Sequence, residues 1–177
     1  MGVLILGLVL FLGAHSARIV AEGWRARVIA QRGENAWKGL YSLVSLIGLV
    51  LLVWGYGLAR QQPVVLWVPP VATRHVAALL MLVSFILLTA VYVPRNGIKA
   101  WLHHPMVLGV KVWAAAHLLS NGNLADVVLF GAFLLWSVLS FRAARARDRA
   151  ATPSPRASQR WWARCCGWCF RCGCTCG

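Results

Sequence analysis

The sequence predicts an all-α, polytopic membrane bundle with five transmembrane helices. Three observations carry the prediction. Of 177 residues, 60% are apolar and 12% charged, about half the roughly 25% charged share of a soluble domain. The apolar residues collect into long runs with few or no charges, the pattern that lipid demands. Lys and Arg, 18 in all against 4 Asp or Glu, cluster in alternate connections between those runs. A soluble single-core globule and a disordered chain are both excluded, because the apolar fraction is too high and too clustered. Membrane strands are excluded as well, since the runs lack period-two alternation.

A helix crosses hydrocarbon with about 20 apolar residues at 1.5 Å each. The first helix is expected from about Val3 to Ala21, with no basic stretch before it and several basic residues after it. That order marks a retained anchor, not a cleaved signal. The second, Gly39 to Leu58, is uncharged and carries a stripe of Ser42, Ser45, Gly48 and Gly55. Small residues at helical spacing allow close backbone contact. Pro63, Pro69 and Pro70 break the chain before a third uncharged run, Val76 to Val93. A fourth, Pro105 to Ser120, holds Lys111 and His117, and Pro105 suits its first turn. Asn121-Gly122-Asn123 then makes a tight turn into a fifth helix, Ala125 to Phe141, with Asp126 at its mouth. The fourth and fifth helices therefore read as an antiparallel hairpin. Trp24, Trp37, Trp67, Tyr92 and Trp101 fall near expected ends, as an aromatic belt does.

The basic residues set an orientation. Arg18, Arg25, Arg27, Arg32, Lys38, Arg95, Lys99, Arg142, Arg145, Arg147 and Arg149 fall on one side, against Arg60 and Arg74 on the other. The expected topology puts the amino terminus outside and the first loop and tail in the cytoplasm. Positive charge is then a topology signal and a contact for the anionic headgroups of the lipid bilayer. No nucleic acid is expected as a partner, because no recognition module accompanies the charge.

Residues 1–149 form the transmembrane domain in this reading. Residues 150–177 read as a basic, Cys/Trp-rich low-complexity tail, either disordered or the product of a shifted reading frame. All six cysteines lie there. Cys166, Cys169 and Cys172 have the CxxC spacing of metal ligands. They lack a second half-site and a nearby histidine, so the tail reads first as low complexity.

Ionisable groups inside lipid are costly and therefore informative. His15, Lys111 and His117 fall inside expected spans, with Arg18 and His104 near a boundary. The sequence holds no Ser/His/Asp set, no paired carboxylates and no phosphate loop. Neutral imidazoles from two facing helices can hold one haem. His15 lies about 18 Å below the outer surface and His117 about 18 Å above the inner one, counting 1.5 Å per residue. In a core of roughly 30 Å both fall in the middle third. His104 points nearly opposite to His117 and does not pair with it on one face. Phe11 and Arg18 flank His15 on its own helix face, where Arg18 can reach a haem propionate. Ala114, Ala115 and Ala116 leave room for a flat ring beside His117. The competing role is packing, in which each histidine makes an interhelical hydrogen bond of about 0.6–2 kcal/mol. Lys111 reads as snorkelling to the cytoplasmic surface.

The ordered set Gly13-Ala14-His15-Ser16-Ala17-Arg18-Ile19, Trp37-Lys38-Gly39-Leu40-Tyr41-Ser42, Trp54-Gly55-Tyr56, Arg74-His75, His104-Pro105 and Ala116-His117-Leu118-Leu119-Ser120-Asn121-Gly122 resembles the NnrU family over residues 1 to about 149. The resemblance implies a bacterial inner-membrane protein supporting denitrification, acting on the expression or activity of nitrite and nitric oxide reductases. Those nitrogen-oxide respiratory proteins are its implied partners. A distant similarity extends to the plant zeta-carotene isomerase, a membrane enzyme with haem b. Its ligating histidines match His15 and His117, which would make haem b the cofactor and these two residues the iron ligands. The same similarity leaves a cis-trans isomerase of a polyene lipid and a non-catalytic membrane assembly factor as alternatives. Family members continue past the basic stretch at 142–149 into a sixth apolar helix, which the Cys/Trp tail replaces here.

Overall fold

The computed structural model describes residues 1–93, 102 and 104–151. Six helices are described: α1 (Gly2–Val20), α2 (Glu22–Arg32), α3 (Glu34–Gln61), α4 (Val71–Tyr92), α5 (Pro105–Ser120) and α6 (Leu124–Ala151). All five expected apolar segments are helical. α3, α4 and α6 are each long and apolar enough to cross a bilayer. α1 reaches that standard together with α2, from which it is bent by 77°. α5 is apolar but has 16 residues, a length of roughly 24 Å against a core of about 30 Å. No strand occurs among the described residues, and an isolated bridge joins Val65 to Asn123.

α2 replaces what reads as a basic loop. Trp24, Val28 and Ile29 recur at helical spacing among Arg25, Arg27 and Arg32, which is an amphipathic pattern. None of its residues is buried. Glu22 pairs with Arg25 at 2.9 Å, and Trp24 meets Trp37 of α3 edge-on at 5.4 Å. The chain leaves α2 through Gly33 at φ 84°, a left-handed conformation suited to glycine. α3 starts five residues before the expected Gly39, with Lys38 bonded to Glu34 at 2.9 Å.

α1 and α3 pack antiparallel through glycines. A β-carbon on Gly55 would run into the backbone of Leu4, and one on Gly7 into the backbone of Leu52. A β-carbon on Gly48 would lie 2.7 Å from the amide nitrogen of Phe11. Gly48 and Gly55 of the small-residue stripe thus do the packing, whereas Ser42 is exposed. α4 and α5 meet at a second close approach, where Ser84 Oγ donates to the Gly109 carbonyl at 2.8 Å.

The α5–α6 turn is the expected Asn121-Gly122-Asn123. The Gly122 carbonyl accepts from the Leu66 amide at 2.8 Å, and the Leu124 amide donates to Val64 at 2.9 Å. A β-carbon on Gly122 would collide with the Trp67 carbonyl. His117 faces Phe130 and Trp113 faces Phe133, so α5 and α6 run antiparallel as the turn predicts.

The core of residues 1–143 joins Leu4 and Leu8 of α1, Leu52 of α3, and Ala125, Leu129 and Phe130 of α6. Outward faces stay apolar: Leu46, Val50 and Val53 on α3, and Leu79, Leu82 and Ile86 on α4, are exposed. That distribution suits lipid as the surrounding solvent. Residues 144–151, the last described part of α6, belong to a separate unit. Arg95, Lys99, Trp101 and the tail thiols Cys166, Cys169 and Cys172 lie outside the described residues, as does the Arg18 side chain.

Candidate functional site

The candidate site is an aromatic cluster of α1, α3, α5 and α6 that holds both His15 and His117. His15 is half-buried on α1. Its Nδ1 lies 2.8 Å from the Phe11 carbonyl oxygen. A carbonyl only accepts, so Nδ1 is the donor in this contact, and Nε2 is not engaged by it. This is the arrangement that orients a metal-binding imidazole. The ring sits 4.3 Å from Phe11, 5.4 Å from Tyr41 of α3 and 6.1 Å from Trp136 of α6, centroid to centroid.

His117 is also half-buried, one turn before the end of α5. It stacks on Phe130 with 5° between planes and centroids 4.3 Å apart, and Trp113 closes its edge at 5.2 Å. Asn121 Nδ2 donates to the His117 carbonyl at 3.0 Å and lies 3.4 Å from Nδ1. Ala114 and Ala116 have no exposed surface. The room expected beside them is taken by close helix packing.

The two imidazoles face α6 at Trp136 and Phe130, six residues or about 9 Å apart along its axis. Phe133 lies between these levels. Its ring is 5.9 Å from Phe11 and 5.5 Å from Trp113. The structure therefore brings both histidines into one continuous cluster, with Phe133 between them. His104 is elsewhere, edge-on to Phe141 at 6.4 Å. It meets α6 eleven residues from Phe130, about 16 Å away, so His104 and His117 do not pair. His75 is exposed at the start of α4, and Lys111 is half-buried in α5. Among the described residues no three His, Cys, Asp or Glu side chains gather as a metal-binding group.

A six-coordinate haem takes two axial donors, an apolar bed and polar partners for its edge. His15 meets the first requirement through Nε2, whereas at His117 the donor Asn121 Nδ2 lies 3.4 Å from Nδ1, a contact that His117 gives up to serve as a second donor. Buried polar atoms without partners meet the last: Ser45 Oγ, Trp136 Nε1 and Ser140 Oγ. Trp136 stands edge-on to His15 with centroids 6.1 Å apart, and Ser140 follows it by one turn. The residues fit the group in donor chemistry, provided the Phe133 ring turns aside. A cleft of about 220 Å³ opens beside His15, lined by Ala14, Ala17, Arg25, Trp37 and Tyr41.

A polar knot closes the end of the bundle near Asn121. Asp126 is 3% exposed. Its carboxylate accepts from the Tyr56 hydroxyl and, at 2.9 Å, from Asn123 Nδ2. The Arg60 guanidinium lies 5.7 Å over the Tyr56 ring. Sequence reasoning noticed Asp126 at a helix mouth but missed Tyr56. The available signal was the shortage of acids, since a carboxylate within an apolar helix needs a donor from a facing helix.

The family model described as NnrU protein matches residues 3–170, a span that takes in both histidines and runs past Arg149. No curated protein and no solved structure matches the chain. With nearly its whole length matched, the chain belongs to the NnrU family.

Proposed function

We propose that this NnrU-type protein binds haem b through His15 and His117 in the bacterial inner membrane and supports denitrification at the level of nitrite and nitric oxide reductases. The observation that carries the reading is the contact of His15 Nδ1 with the Phe11 carbonyl oxygen. In this contact Nδ1 donates at 2.8 Å, which leaves Nε2 as an iron donor. Bound haem supplies a one-electron redox centre, tuned by axial ligands and burial. The chain's own part is to hold two neutral imidazoles and exclude water with Phe11, Trp113, Phe130 and Trp136. Purified protein from haem-replete cells should show a reduced-minus-oxidised haem spectrum. His15→Ala or His117→Ala should abolish its six-coordinate form. A folded, haem-free wild type would reject the reading.

The flat stack of His117 on Phe130 favours a second reading, a non-catalytic assembly factor in which the histidines pack helices. That reading expects both His→Ala variants to stay functional, while substitutions at Gly48 do not. The lipid bilayer is the proposed immediate partner. α2 carries Arg25, Arg27 and Arg32 with none of its residues buried, which suits a helix on an anionic membrane surface.

A further inference from the structure

Most buried hydroxyls of this protein satisfy themselves. Ser16, Ser120 and Ser137 donate to carbonyls three or four residues back in their own helices, at 2.7, 3.1 and 2.8 Å. This is the usual device for a hydroxyl in an apolar helix. Ser84 uses the Gly109 carbonyl of a neighbouring helix. Three buried atoms break the pattern. Ser45 Oγ, Trp136 Nε1 and Ser140 Oγ have no hydrogen-bond partner among the described residues. Ser140 is 7% exposed. Lipid offers such groups nothing, so leaving them unpaired is costly.

Their placement is not scattered. Trp136 meets the His15 ring edge-on at 6.1 Å. Ser140 lies one turn further along the same face of α6. Ser45 lies one turn beyond Tyr41, whose ring is 5.4 Å from His15. Trp136 thus meets His15 from α6, while Ser140 and Ser45 each lie one turn from a neighbour of His15, in opposite directions along the bundle because α3 and α6 run antiparallel. An indole N–H only donates, and the two hydroxyls are free to donate. The set asks for an acceptor. The hydrogen-bond acceptors on the periphery of haem b are its two propionate carboxylates.

We propose that Trp136, Ser140 and Ser45 bind the propionates of the haem held by His15 and His117. The inference rests on the haem reading above and adds the residues that recognise the cofactor's polar edge. These three donors position the cofactor and do not touch the iron.

The test titrates the haem-stripped full chain in detergent with haemin and with haemin dimethyl ester, whose carboxylates are blocked. Wild type should prefer haemin by at least about tenfold, the worth of one hydrogen bond to a charged acceptor. The double variant Trp136→Phe/Ser140→Ala should lose that preference while keeping the six-coordinate spectrum. Ser140→Thr should retain it, because the hydroxyl remains. The preference is a ratio within each protein, so a general loss of stability does not mimic the effect. The proposal is overturned if the double variant keeps the wild-type ratio or if wild type shows no preference. Haem bound without preference rejects this inference alone, whereas no haem in the wild type rejects the parent reading with it.

Discussion

At the scale of single residues, Asp126 and Phe133 make different demands. Asp126 is a buried carboxylate with two donors, Tyr56 and Asn123. Removing it leaves both donors unpaired, whereas removing the Tyr56 hydroxyl leaves Asn123 in place. Asp126→Ala should therefore destabilise the bundle by about 3–5 kcal/mol and Tyr56→Phe by about 1–3 kcal/mol. Detergent unfolding followed by tryptophan fluorescence measures both. The double variant should cost less than the sum, since the two share one bond. Additivity would remove the knot as an interaction. Phe133 packs between Phe11 and Trp113. Phe133→Ala should cost about 3 kcal/mol of stability, the low end for a ring that is partly buried, yet on the haem reading proposed above it should keep the spectrum, because its ring occupies the level between the two imidazoles. Loss of the spectrum in folded Phe133→Ala would show that the ring supports the site. His15 and His117 were legible in the sequence, because ionisable groups inside long apolar runs stand out. Phe133 and Tyr56 were not. One more aromatic in a helix rich in them carries no mark of which neighbour it meets, and a tyrosine near an interface reads as belt.

At the scale of helices, the seams between elements follow from glycine. Gly48 and Gly55 let α3 touch the backbone of α1, and Gly7 does the same from the other side. Gly48→Leu should separate the helices and destabilise by more than about 3 kcal/mol, the upper end for overpacking. Gly39→Leu, on the same helix with open space around its α-carbon, should change stability little. The same unfolding measurement compares them, and equal effects would dismiss the seam. The stripe was readable, but Ser42 was wrongly grouped with it, because serine is small whichever way it faces. Helix ends were legible where the chain has hard punctuation. α5 begins at Pro105 and ends before Asn121-Gly122, as expected to the residue. α3 and α6 run past their apolar stretches, α6 as far as residue 151, because Ala and Arg are good helix formers and the next proline is Pro153. Hydropathy marks where lipid ends, not where hydrogen bonding does. α2 was missed for the same reason, since its apolar positions are too few to register as a span.

At the scale of the whole molecule, charge should set how the bundle sits in the membrane. The connection around Leu66 and Gly122 belongs to the end with Arg60 and Arg74, while α2 with Arg25, Arg27 and Arg32 follows the other end of α1. Short basic segments stay on the cytoplasmic side, so the Leu66 end should face outward. The sequence has no cysteine before Cys165, which makes the orientation simple to read. With the six native cysteines replaced by serine, a Leu66→Cys protein in intact cells, its outer membrane permeabilised, should react with an impermeant maleimide. An Ala30→Cys protein should react only after the inner membrane is opened. Both positions are exposed, so a difference between them reports side and not burial. The opposite labelling pattern would reverse the topology. Each arginine near an anionic surface contributes about 1 kcal/mol. Changing Arg25, Arg27 and Arg32 to Gln should therefore remove about 3 kcal/mol of orientational bias and let a fraction of Ala30→Cys react from outside. If labelling stays one-sided, Lys38 and the remaining basic segments suffice to hold the bundle in place, and α2 contributes surface contact and not direction.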